Sequence, residues 1–212
     1  MPKCDICKEK FTYRNNSFEK TCANKECMSE FALKFLAKKR EADAKKIRTD
    51  WNKQKREKLD ELKTKSDYEK DLQTEINQIV KYLDASWPCI SSGKTTGKRN
   101  SGHLWSVGSC PSVRFHLMNV YNQSEYDNGY RGGNPLGYRD GIIKTFGLSH
   151  MEYVETLKNH PALHLTIEEI KQAIKIARSI VKELKSADKT YTTEERLELR
   201  RVYNSQIGLY HI

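Results

Sequence analysis

The strongest limit on the fold of this 212-residue chain is a long stretch with almost nothing to bury. From Ala37 to Lys58 the only large apolar residues are Ile47 and Trp51. A helix that seats against a core needs three or four apolar residues in every two turns. This stretch is therefore expected as a solvated helix, and no single core can include it. Hydrophobic residues are 37% and charged residues 31% of the chain, which also argues against one large core. Between Glu30 and Lys65 thirteen lysines and arginines face seven acidic residues, and the whole chain carries a formal charge of +10. A basic surface rich in acids as well suggests a face that meets phosphate rather than a basic disordered tail. Lys38, Lys39, Arg40, Lys45, Lys46 and Arg48 are the candidates for contacts along a DNA backbone, a merely solvated face being the alternative.

Cys4, Cys7, Cys22 and Cys27 precede that helix in the pattern C-x2-C-x14-C-x4-C. Two pairs of thiolates joined by a loop can close all four positions of a tetrahedral Zn²⁺, so the expected cofactor here is structural zinc in a knuckle. A segment this short cannot build a core, and the metal would supply most of its folding energy. No apolar run reaches the roughly 18–20 residues of a membrane span, so no membrane partner is expected. The start MPKCDICKEKF lacks a signal-peptide apolar region, which places the chain in a reducing cytoplasm where cysteines bind metal.

Ser66-Asp67-Tyr68-Glu69 reads as a capping box, followed by Leu72, Ile76, Ile79 and Leu83 at helical spacing. Trp87-Pro88 ends that helix. Glycine, histidine, asparagine and aromatic residues then crowd together from Cys89 to Arg139. Gly102-His103 with Leu-Trp-Ser-Val reads as a short strand, and Ser112-Val113-Arg114-Phe115 as a second one ending near Asn119. Pro135 suits the first position of a helix that ends at Gly147, with Asn134 as its cap. Lys94, Lys98 and Arg99 cluster beside this unit as phosphate candidates, and Arg114 and Arg139 could touch phosphate or pair with carboxylates. Tyr121, Tyr126, Tyr130 and Tyr138 are expected to fill space in the core. His116, His150, His160, His164 and His211 lack paired spacing and read as surface or loop residues. Ser149/Glu152, Thr166/Glu169 and Thr192/Glu195 are three further capping boxes. Ile170, Ala173, Ile174, Ala177, Ile180, Val181 and Leu184 form one helix face.

These motifs resemble the phage lambda NinG family. The likeness is carried by CDICKEKF with Cys22 and Cys27, KTKSDYEKDLQTEINQIV, PCISSG, SGHLWSVGS, SVRFHLMNVYNQS and GGNPLGYRDGIIKTFG. It implies an HNH-like ββα core that cuts branched DNA with Mg²⁺ or Mn²⁺. Carried onto this chain, His103 would be the general base, and Asn119 would hold its ring or pin the strand end. Asn128 would help ligate the catalytic cation, with Asn100 and Asp127 as further candidates; Asn100 stands where the family has an acid. The family also carries a second zinc knuckle of two C-x-x-C pairs. Here those positions read Cys89 and Ser92, then Ser124 and Asp127, so no zinc is expected there, and Cys110 is not counted as a replacement.

The expected fold class is α+β, mostly helical. It comprises a zinc knuckle (1–28), a basic helical arm (29–65), an HNH-like ββα core with its leading helix (66–147) and a C-terminal helical region (148–212). The expected function is cleavage of branched DNA in phage recombination, in the host cytoplasm. A homodimer is expected because symmetric cutting of a four-way junction needs two sites. The alternatives are a branched-DNA-binding protein that no longer cuts, and a structural protein that binds partners through the charged helix. The residues after 189 carry no functional reading.

Overall fold

The structure is a computed structural model that describes residues 1–16 and 18–210, so His211 lies outside the described residues. The chain forms two compact units, Met1–Leu62 and Lys63–Ile212.

In the first unit the cysteine-bearing loop leads into helix α1, Lys25–Glu61. Asn24 caps it, its side chain accepting from the backbone N–H groups of Glu26 and Cys27. The helix starts three residues before the expected Met28, which places Cys27 in its first turn. Thirty-seven residues at 1.5 Å each give a rod about 55 Å long. Cys27 is its only buried residue; Ile47 is 69% and Trp51 57% exposed. The thin apolar stripe stays in water, as its spacing required.

The second unit is built on α2 (Lys65–Leu83) packed against α5 (Ile167–Ala187). Tyr68, Leu72, Ile76, Ile79 and Leu83 meet Ile170, Ala173, Ala177, Ile180 and Leu184 in one core. The capping box of α2 is Thr64 with Asp67, not Ser66 with Glu69; the Asp67 carboxylate accepts from the Thr64 N–H at 3.1 Å. Ser66 already lies inside the helix. Thr166/Glu169 and Thr192/Glu195 cap α5 and α6 (Thr193–Ile207) as expected. Ser149/Glu152 caps nothing. Helix α3 (Pro135–Phe146) ends and α4 (Leu148–Thr156) begins at one residue, Gly147 at φ 89°, so Ser149 is already helical.

Between α2 and α3 lie two antiparallel strands, β1 (Arg99–His103) and β2 (Val120–Ser124), with Arg99 opposite Ser124 and His103 opposite Val120. Both differ from the expected spans. β1 ends at His103 instead of continuing through Val107, and residues 112–119 are not a strand. Pro111, which has no N–H to give a ladder, opens a short 3₁₀ turn, and a second such turn spans Leu117–Asn119. The His116 ring accepts from the Met118 N–H there.

Helix α3 lies close to the segment before β1. A Cβ on Gly141 would fall 1.6 Å from the Ile90 carbonyl oxygen, and one on Gly137 2.3 Å from that of Ser91. Only glycine permits this approach. Beneath β2, Asp84 ties three elements together. It accepts from Arg196 at 2.7 Å, from Arg200 at 2.9 Å and from the Asn122 N–H at 3.0 Å, all buried or nearly so.

Candidate functional site

The four N-terminal sulfurs lie within 4.8 Å of one another, with Cys7 and Cys22 at 3.9 Å. A tetrahedral zinc with bonds of about 2.3 Å needs sulfurs about 3.8 Å apart, so the cluster can hold a structural Zn²⁺. Local backbone bonds set the shape: the Cys4 N–H donates to Glu9, and Lys8 takes a left-handed φ of 63° at the turn. Burial pushes the Cys4 thiol up, but backbone bonds around Cys22, Cys7 and Ile6 hold it down at about 6. Burial and the neighbouring thiols drive Cys27 to about 12. The cluster is closed on all four sides, which suits structure rather than catalysis.

Along α1, Lys34 pairs with Glu30 and Lys53 with Glu57. Lys38, Lys39, Arg40, Lys45, Lys46 and Arg48 are exposed and make no ion pair among the described residues. Their charge is open to solvent.

In the second unit His103 and Asn128 come together, although 25 positions separate them. Both line a cleft of about 270 Å³ with Ser106, Val107, Gly133 and Pro135. His103 ends β1; Asn128 lies on a single wide π-helical turn, Tyr126–Tyr130, after β2. The chain then passes Gly132, Gly133 and Asn134, all at positive φ, before α3 starts. Asn134 occupies the cap position but does not cap; its amide reaches Asp127 at 3.3 Å and the Ser91 carbonyl at 3.4 Å.

The His103 Nε2 lies 3.0 Å from the Arg114 carbonyl oxygen. A carbonyl only accepts, so Nε2 carries the proton and Nδ1 keeps its lone pair. Burial lowers the His103 pKa below the usual histidine value, against the bond to that carbonyl, so the ring is neutral at pH 7. Asn119 does not touch this ring. It is fully buried, donating to the Trp105 and Val113 carbonyls and accepting from the Trp105 N–H at 2.8 Å. Its bonds hold the loop after His103, while the ring is bonded by the Arg114 carbonyl.

Asp127 lies outside the cleft lining. Its buried carboxylate accepts from the Ser124 hydroxyl at 2.7 Å, the Cys89 thiol at 3.6 Å and the Asn134 amide, with Arg131 at 3.6 Å. The Ser124 N–H donates to the Cys89 sulfur at 3.1 Å. Burial raises the Asp127 pKa, but bonds from Ser124, Ser92, Ser91 and Cys89 outweigh it and hold the carboxyl below its usual range. The two sequence pairs thus meet around one carboxylate.

Other sequence candidates, Lys94 excepted, have partners within the fold. Arg114 bonds Glu69 and Gln73 on α2, Lys98 pairs with Glu125, and Arg139 pairs with Glu155. Arg99 donates to the carbonyls of Trp87 and Thr95, and Lys94 is exposed. His116 and His150 are buried rather than superficial, and burial takes both to about 4. Tyr121 and Tyr138 fill the core, whereas Tyr126 and Tyr130 are 61% and 82% exposed and stack on each other.

The sequence reading missed the part played by α6 and the residues just after it. The Tyr210 hydroxyl accepts from the Phe115 N–H and donates to the Ser112 carbonyl, bracketing Arg114. Asn204 accepts from the Leu117 N–H at 3.0 Å. Only the capping box of α6 was visible beforehand.

The family model described as the bacteriophage lambda NinG protein matches residues 1–188. The chain belongs to the NinG family. Among curated relatives it is 32% identical over 111 residues to Protein ninG of Enterobacteria phage H19B, covering 52% of this chain and 54% of the relative. Against Protein ninG of Escherichia phage lambda the identity is also 32%, over 52% of this chain and 53% of the relative. For Salmonella phage P22 it is 30%, over 52% and 54%. The chain thus spans about half the length of the NinG relatives it matches. No solved structure matches it. The matched NinG residues include the cysteine cluster, His103, Asn119 and Asn128; α6 lies beyond them.

Proposed function

We propose that this NinG-family chain is an HNH-like endonuclease that cuts branched DNA in phage recombination, with His103 as general base. The single observation that carries this reading is the imidazole itself. It is neutral, fixed through Nε2 by a backbone carbonyl, and has its Nδ1 lone pair free beside a cleft that also holds Asn128. Such a ring can take a proton from a water attacking phosphorus. The unpaired cations of α1 are suited to phosphate, and each neutralised phosphate adds to affinity at low salt.

The cleft does not fit a resident Mg²⁺ or Mn²⁺. These hard cations favour carboxylates with water. The cleft lining has no carboxylate, Asn100 is neutral, and the Asp127 carboxylate is enclosed by Cys89, Ser124 and Asn134. That donor set favours a second reading, a branched-DNA-binding protein that keeps the strands and helix of a nuclease core without cutting. In either reading the Asp127 network does the cross-linking that a second zinc would do, joining the segment at Cys89 to the turn at Ser124.

The deciding experiment is cleavage of a labelled four-way junction and a matching linear duplex, with Mg²⁺, with Mn²⁺ and with neither. Junction-selective cuts in the wild type that vanish in His103→Ala establish the nuclease. Because the base acts only when deprotonated, activity is lost as pH falls through a value below the ordinary 6.5 of histidine. Tight junction binding with no cuts under any condition removes the enzyme and leaves the binding protein.

A further inference from the structure

Beside the His103 cleft lies a second and larger groove of about 730 Å³, and Asn128 lines both. It runs between α2 and β1. Five carboxamides line it, from Asn77, Gln78, Asn100, Asn122 and Asn128. Two cations, Lys81 and Arg99, the Ser101 hydroxyl and the half-buried ring of Tyr82 complete the polar lining, and no carboxylate is present.

The state of each group decides what the groove can take. Gln78, Asn100 and Asn128 make no side-chain hydrogen bond among the described residues, so their amides keep a donor and an acceptor each. Asn122 is anchored by its Nδ2, which donates to the carbonyls of Asp84 and Trp87, leaving Oδ1 to accept. Arg99 is held by two carbonyls, which fix its place without cancelling its charge. Lys81 is exposed and pairs with no carboxylate among the described residues. The groove is therefore positive, rich in groups that both donate and accept, and shares Asn128 with the cleft of the proposed base.

We propose that this groove binds an unpaired strand of DNA and leads it past Asn128 to His103. Base edges offer mixed donors and acceptors that carboxamides match, and in an unpaired strand those edges are free. Lys81 and Arg99 meet the phosphates, and Tyr82 offers a ring face for stacking. The direction of the strand toward His103 rests on the nuclease reading; the binding does not.

The test uses the full chain with labelled oligothymidylate and a duplex of equal length, by fluorescence anisotropy from 50 to 200 mM salt without added divalent cation. Lys81→Gln should lower the slope of log affinity against log salt by about 0.7 for the single strand. Gln78→Ala should weaken binding at every salt concentration with the slope unchanged. Lys185→Gln, on α5, should change neither. A Lys81→Gln slope equal to that of the wild type overturns the proposal. So does a matching loss in Lys185→Gln, or an equal loss on duplex, which would make Lys81 a general backbone contact. If no junction is cut but the Lys81 effect holds, the groove stands and the nuclease reading falls. If junctions are cut while both groove variants bind like the wild type, the reverse is true.

Discussion

Replacing Asp84 by alanine should be among the most damaging single changes in the second unit. Asp84 is 1% exposed, and its carboxylate is the sole anionic partner of Arg196 and Arg200 among the described residues, themselves 2% and 0% exposed. The aromatic surroundings are favourable but not anionic. Arg196 lies 4.4 Å from the Trp87 ring centre and 4.8 Å from that of Phe146, and Arg200 4.5 Å from that of Tyr121. Removing one partner of a buried pair costs about 3–5 kcal/mol, because the other charge stays buried without compensation. Here two guanidinium groups are stranded and the Asn122 N–H loses its acceptor, which puts the cost at the upper end, about 5 kcal/mol. For a unit of this size that lowers Tm by about 10–20 °C. Urea unfolding followed by far-UV circular dichroism reads the loss as a lower midpoint. Glu125→Gln, which breaks the exposed pair with Lys98, supplies the comparison and should cost less than about 1 kcal/mol. The combined change Asp84→Leu, Arg196→Met, Arg200→Leu should recover most of the stability, since apolar replacements remove the stranded charges. An Asp84→Ala midpoint no lower than that of Glu125→Gln would refute the reasoning. So would a triple variant as weak as the single one.

Two further outcomes follow from the clusters around sulfur and carboxylate. The chain should carry about one zinc per molecule, released on thiol modification and lost in Cys4→Ser/Cys27→Ser; unchanged zinc in that double variant, by colorimetric assay, would show the metal sits elsewhere. Asp127 has its carboxyl held below the ordinary 3.8, so its stabilising contribution is present above that value and fades as pH falls through the lower folded value. Asp127→Asn should thus be less stable than wild type at pH 7, with the gap narrowing as pH falls below 3.8; a gap that stays constant down to acid would exclude the carboxylate as the source.

Local rules in the sequence were enough for the helices. Leu72, Ile76, Ile79 and Leu83 are all buried at the spacing that announced them, as are Ile170, Ala173, Ala177, Ile180 and Leu184. The same rule kept Ile47 and Trp51 in water. The four cysteines also met, because their pairing depends on one short loop. The strands were misplaced because residues 104–119, although rich in strand formers, are fixed by distant polar groups rather than by a ladder. Arg196 and Arg200 carried no reading in the sequence, because their partner, Asp84, lies 112 and 116 positions away. His116 and His150 were unreadable for the same reason, since burial is decided by elements remote in sequence. His103 and Asn128 could be named from the family resemblance, but not the carbonyl that fixes the tautomer.

That carbonyl belongs to Arg114, and Arg114 is held both from within the residues matched to the family and from beyond them. Its side chain is clamped from α2 by Glu69 and Gln73, while Phe115 and Ser112 on either side of it are bonded by Tyr210. Phe115 donates to Tyr210 and the Ser112 carbonyl accepts from it; the Leu117 N–H donates to Asn204, and the Leu117 carbonyl accepts from Arg200. The family model stops at residue 188, before α6 begins. The proposed base thus lies within the residues matched to the family, while its hydrogen-bond partner is held from both sides of that boundary. The Arg114 carbonyl sits between two 3₁₀ turns braced by Glu69 and Gln73 on α2 and by Arg200, Asn204 and Tyr210 near the C-terminus.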